Sequence, residues 1–184
     1  MLQKRRPFLI SCLVLLAVLI GLDQWTKAAI ERYIPLGDSV EMIHGFFELT
    51  HLRNTGMAFS MFDDLGIGFF IAVSILVIGC IIWYFFHTKD VIIELSLVLI
   101  LAGAIGNLID RFSKGYVTDF FQFYIFGKPF AVFNVADVCI SIGFVFLVIG
   151  MFLEDYRAAK LRKEAAQTGL SSNEDPKTGS EQSK

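Results

Sequence analysis

Acidic and amide side chains recur in this sequence inside runs that are otherwise apolar. Asp23 stands late in the first such run, Asn107 and Asp110 close another, and Asn134 and Asp137 open the last. An ionisable group within a membrane-length apolar stretch is costly and asks for a reason. Asn107 and Asp110 are three apart, as are Asn134 and Asp137, a spacing that brings both members to one helix face. Asp119 lies in the connection between these pairs. Arg111 directly follows Asp110, placed to neutralise a neighbouring acid or to reach lipid headgroups.

The chemistry open to such a set is limited. Several acids are present, but the sequence has no Ser-His, Cys-His or His-rich metal constellation. Two carboxylates forced together cannot both ionise, so their pKa values separate. One then serves as general base on a water while the other, protonated, hydrogen-bonds a scissile carbonyl. That is aspartic amide hydrolysis, and it requires neither metal nor cofactor. A polar clasp knitting helices together is the structural alternative. Two other functional readings exist. A small ion- or proton-conducting protein would spread ionisable groups over the full membrane depth. A metal-dependent lipid-headgroup transferase would hold Mg²⁺ on Asp110, Asp119 and Asp137 and would want a denser acidic repeat on one helix.

Other reactive residue types read as structural. Cys12, Cys80 and Cys139 sit in apolar runs without ligand spacing, as small core residues do. His44 and His51 fit a surface or interface better than a metal site. Glu94 falls at a helix start, where a carboxylate is tolerated and water is near.

Four segments must position the acids. Of the 184 residues 55% are hydrophobic and only 18% charged, and long uncharged runs alternate with short polar stretches. Spans are expected at about 8–30, 65–86, 91–109 and 130–153, each with about the 20 residues a hydrocarbon core of roughly 30 Å needs. The first continues through Asp23, Trp25 and Lys27 with no small-x-small cleavage site, so it reads as retained rather than as a removed leader. Lys4, Arg5 and Arg6 precede the first span, and Arg157, Lys160, Arg162 and Lys163 follow the fourth, which puts both termini in the cytoplasm. The connections 31–64 and 111–129 then lie outside, and all the buried acids gather in the outer leaflet. The fold class expected is an all-α, four-transmembrane-helix bundle carrying a small extracytoplasmic β-rich platform, from alternation such as Val40-Glu41-Met42-Ile43-His44, and an aromatic outer loop, Phe120 to Phe126. Residues 1–157 form one membrane catalytic domain in this reading. Residues 158–184 form a cytoplasmic tail, a charged helix extension that gives way to a disordered Ser/Gly/Glu/Lys stretch. No basic-aromatic patch points to nucleic acid.

Five strings in chain order resemble the lipoprotein signal peptidase (signal peptidase II) family. They are DQWTK from Asp23, NTGMAFS from Asn54, AGAIGNLIDR from Ala102, GYVTDF from Gly115 and FNVADVCI from Phe133. Ser60 and Ala102 stand where glycine is common in that family. The resemblance implies an aspartic endopeptidase of the bacterial inner membrane with Asp119 and Asp137 as its dyad. Asp23, Asn54, Asn107, Asp110, Arg111 and Asn134 would line or brace the site, and Gly56 and Gly106 would permit close backbone approach. The implied substrate is a prolipoprotein cut just before a diacylglyceryl-modified cysteine, with membrane lipids around it and globomycin-type cyclic peptides as inhibitors. The aromatic outer loops are expected to close over the lipid-bearing cysteine.

Overall fold

The computed structural model describes residues 2–56 and 66–171. Met57 to Ser60 of the outer-loop string, the acids Asp63 and Asp64, and the tail from residue 172 lie outside the described residues. Among the described residues are four helices long and apolar enough to cross a membrane and one small antiparallel sheet. The helices are α1 (Leu2–Tyr33), α2 (Gly66–His87), α3 (Val91–Lys114) and α4 (Val135–Ser171).

Helix α3 is the axis of the bundle. It packs against each of the other three helices, and α1 also meets α4. Small residues allow this, because helices surrounded by lipid gain from close van der Waals approach. A Cβ added at Gly103 would lie 2.2 Å from the Ala136 carbonyl oxygen, and one at Gly143 would lie 2.8 Å from that of Ser96. So α3 and α4 run backbone against backbone. Large apolar side chains such as Leu13, Val14, Leu76 and Phe144 point outward, as hydrocarbon solvent requires.

Local signals set the helix ends, and here the structure corrects the expected bounds. The Asp90 side chain accepts the N–H groups of Ile92 and Ile93 and so caps α3. At the other end Gly115 takes φ 78° and closes the helix at Lys114, five residues past the expected end. The fourth helix starts at Val135, not near residue 130, because Asn134 caps it and Phe133 is still paired to a strand. It then runs on through Ser171, so the charged segment past residue 157 continues the helix.

The sheet joins both outer connections, which the sequence reading kept apart. Strands β1 (Ser39–Ile43), β2 (Phe47–Asn54), β3 (Val117–Ile125) and β4 (Lys128–Pro129) lie side by side in chain order, all antiparallel. The aromatic run expected as a free loop is β3 itself, pinned by β2 on one side and by Phe133 and β4 on the other. Stacked rings hold that pairing, with Phe47 and Phe123 centroids 4.7 Å apart and Phe123 and Phe133 5.8 Å apart. A cluster of Ile30, Ile34 and Phe120, with Leu49 and Val135 against it, fastens the sheet to the ends of α1 and α4.

Two other expectations fail on burial. Glu94 is 1% exposed and paired with Arg5, not hydrated at a helix start. His51 is buried too, its Nδ1–H donating to the Ile34 carbonyl at 2.8 Å, whereas His44 is exposed as expected.

Candidate active site

The sheet end of the bundle brings the polar residues of α1, α3 and α4 to one level. Asn134 is the joint. Its Oδ1 accepts the Asp137 N–H at 3.0 Å while the Asp137 Oδ2 accepts the Asn134 N–H at 3.2 Å. This reciprocal cap fixes the Asp137 carboxylate in the first turn of α4, where the helix dipole favours negative charge. The three-residue spacing of this pair is therefore a capping box and not a helix face. The Asn134 Nδ2 then donates to Asp119 Oδ1 at 2.6 Å. One residue thus holds both carboxylates, although they are 18 positions apart in the chain.

Strand β3 delivers Asp119 opposite Leu52 of β2. Its second oxygen accepts from the Asn54 Nδ2 at 2.9 Å, and the orientation of that amide is set by Gly56, whose N–H donates to Asn54 Oδ1 at 2.8 Å. Gly56 sits at φ +96°, and a Cβ there would lie 2.4 Å from the Phe70 ring. Glycine is required on both counts. Burial pushes the Asp119 carboxyl up to about 6. The Asn54 donor opposes that rise, the Asp137 charge adds to it, and Asn134 and Lys27 work against it.

Behind the pair lies a second layer. The Asn107 Nδ2 donates to Asp137 Oδ1 at 2.8 Å, and its Oδ1 accepts from Asn134 Nδ2 at 3.2 Å and from Lys27 Nζ at 2.9 Å. Asp23 accepts the Ala136 N–H at 2.9 Å with one oxygen and binds Lys27 Nζ at 2.9 Å with the other. Asp110 binds Lys27 at 3.1 Å and Lys114 at 3.3 Å, and its Oδ2 also accepts the Thr118 N–H at 3.3 Å. Glu31 ties in from α1 through Lys114 at 2.7 Å and through the Thr118 hydroxyl. Arg111 lies over the Phe70 ring at 5.7 Å, within Coulombic reach of Asp137 and Asp119, and its Nε has no partner among the described residues.

Every described site residue read from the sequence is thereby placed: Asp119, Asp137, Asn54, Asn107 and Asn134 form one hydrogen-bonded set. Asp23 and Asp110 brace it through Lys27, and Gly56, Gly106 and Arg111 border it. Sequence reasoning missed Lys27, Gln24, Glu31, Lys114 and Thr118. The pairs Asp23/Lys27 and Asp110/Lys114 were readable as i,i+4 ion pairs, each putting a cation beside an acid on one helix face.

A groove of about 350 Å³ runs down α4 with Asp137 in its wall, lined otherwise by Phe130, Phe133, Val138 and Ile142 among others. A recess of about 380 Å³ between α1, α2 and α3 is wholly apolar and away from the carboxylates, so chemistry belongs to the first. Both oxygens of Asp110 carry ammonium partners, which leaves little for a divalent cation there. The geometry suits acid–base work on a bond presented from the bilayer.

Known proteins give the family. The family described as signal peptidase (SPase) II matches residues 15–153. The "Lipoprotein signal peptidase" of Desulforapulum autotrophicum is 41% identical over 152 residues, 79% of this chain and 93% of that one. The protein of the same name from Streptococcus pneumoniae is 42% identical over 144 residues, 77% and 92% of the two chains. A solved bacterial membrane enzyme superposes with a TM-score of 0.72 at 31% identity, covering 80% of this chain and 91% of its own. Matched from residue 15 to residue 153, the chain belongs to the signal peptidase II family and is a multi-pass membrane peptidase.

Proposed function

We propose that this peptidase removes signal peptides from prolipoproteins by aspartic catalysis, with Asp119 and Asp137 as the working pair, cutting just before a diacylglyceryl-modified cysteine. The observation that carries the reading is Asn134, which bonds both carboxylates at once. Acids held in one niche share a proton. Burial and the Asp137 charge both favour the protonated form of Asp119, drawn up to about 6.

The reaction then balances with water alone. Asp137 takes a proton from the attacking water as its oxygen bonds to the scissile carbon, while Asp119 gives its proton to the carbonyl oxygen. The resulting diol collapses as Asp119 recovers a proton from one hydroxyl and Asp137 protonates the departing amine, breaking the C–N bond. Asn54, Asn107 and Asn134 hold the carboxylates in place throughout, so little reorganisation is asked of the site.

A cysteine bearing two acyl chains is kept at the membrane interface by its lipid. The apolar walls of the α4 groove suit such chains, and the groove leads to Asp137. With both chain termini on the cytoplasmic side, the sheet and the acids face outward, where an inserted precursor presents its cleavage site. A globomycin-type cyclic peptide would occupy the same pair.

Purified wild type, Asp119→Asn and Asp137→Asn proteins offered a lipidated precursor test the reading. Each single substitution is expected to abolish cleavage in a folded protein. Substantial turnover by either variant refutes the dyad.

A further inference from the structure

Lys27 takes no part in the reaction just described, yet its contacts lead to both acids. It is fully buried, with Nζ 2.9 Å from Asp23, 3.1 Å from Asp110 and 2.9 Å from Asn107 Oδ1. An ammonium has three N–H donors, and these acceptors use them all. Each arm ends on, or one residue from, a member of the pair. Asn107 donates to Asp137 at 2.8 Å. Asp23 accepts the Ala136 N–H at 2.9 Å, fixing the turn of α4 that carries Asp137. Asp110 accepts the Thr118 N–H at 3.3 Å, fixing the strand residue before Asp119.

We propose that Lys27 is the positioning residue of the reaction, setting the separation and the amide contacts of Asp119 and Asp137 through these three arms without touching substrate. The inference rests on the dyad reading above. Charge neutralisation alone would account for two of the arms, since buried Asp23 and Asp110 need a counter-ion. It does not account for the third, which goes to a neutral amide. Asn107 Oδ1 accepts from both Lys27 and Asn134. A flipped amide would set its NH₂ against two donors, so Lys27, with Asn134, makes Asn107 offer Asp137 a donor and not an acceptor. The neighbouring cations do not duplicate this: Lys114 pairs with Glu31 and Asp110, and Arg111 lies over Phe70.

The test compares wild type, Lys27→Met and the charge-balanced double variant Lys27→Met/Asp110→Asn, whose new amide can still accept the Thr118 N–H. Steady-state cleavage of a lipidated precursor is followed from pH 5 to 8 alongside thermal unfolding in the same lipid or detergent. Positioning predicts that kcat falls about 100-fold in both variants with little change in KM, the scale of a misplacement near 1 Å. The pH at which kcat/KM turns over also moves, because the spacing of the acids sets their coupling. The double variant regains stability and not kcat. Recovery of wild-type kcat and pH profile by the double variant would reduce Lys27 to a counter-ion and overturn the proposal. Wild-type kcat in the single variant does the same. A double variant that fails to fold also counts against the proposal, since it makes Lys27 a folding residue. Inactive Asp119→Asn and Asp137→Asn proteins beside an active Lys27→Met sink this inference and leave the dyad standing.

Discussion

Adding one methyl group at Gly106 should slow the enzyme far more than it unfolds it. Gly106 lies on α3 where that helix meets α1, and a Cβ there would stand 2.6 Å from Asp23 Oδ2 and 3.2 Å from its carboxyl carbon. The carboxylate cannot turn aside, because Lys27 holds Oδ2 at 2.9 Å and the Ala136 N–H holds Oδ1 at 2.9 Å. Ordinary contact begins at 3.4 Å, so Gly106→Ala must part α1 from α3, or Asp23 from its partners, by roughly 0.8 Å, a displacement of the size that costs about 100-fold when it reaches reacting groups. Overpacking of this kind costs about 1–3 kcal/mol, which a four-helix bundle tolerates. The expected result is a folded protein with a lowered melting temperature and kcat reduced about 30- to 100-fold. Precursor cleavage at saturating substrate, read with thermal unfolding in the same lipid, checks it. Wild-type kcat together with an unshifted melt would refute the idea that Asp23 is held rigidly and transmits its position to the pair.

Other outcomes follow from the same contacts. Gly103→Ala drives a methyl to 2.2 Å from a backbone oxygen, which no rotamer relieves, so folded protein should be lost in a size-exclusion assay. If Asp119 must hold a proton, kcat/KM falls as pH rises through about 6; Asn54→Ala removes a donor that lowers this carboxyl, so the fall should move to higher pH. Arg5→Met leaves the Glu94 carboxylate buried without its partner and should cost about 1–3 kcal/mol by thermal unfolding, recovered in Arg5→Met/Glu94→Gln. Cleavage should survive EDTA, since ammonium groups already occupy Asp110 and the two proposed catalytic acids are held by amides; loss of activity restored by Mg²⁺ would contradict this.

The sequence was most legible where polarity broke an apolar run. Asp23, Asn107, Asp110, Asn134 and Asp137 were conspicuous because hydrocarbon excludes them, and run lengths gave their common depth. What stayed hidden depended on pairing between distant segments. The Phe120–Phe126 run reads equally well as an interfacial loop or as a strand, and only its antiparallel match to Phe47–Asn54 decides. Lys27 was passed over as a residue within the first span, since nothing in one helix announces acceptors waiting on α3. Asn134 and Asp137 suggested a helix face, although an amide three residues before an acid is also the signature of a cap. Glu94 was misjudged for a related reason, its partner Arg5 being 89 positions away.

The Asp23 bond to the first turn of α4 has a consequence for biosynthesis. Ala136 is 113 residues downstream of the carboxylate that receives its amide, so the buried polar cluster cannot assemble before the start of the fourth helix has been made and inserted. Until the last span has inserted and met the first, Asp137 lacks its contacts to α1 and α3, and the proposed pair is incomplete.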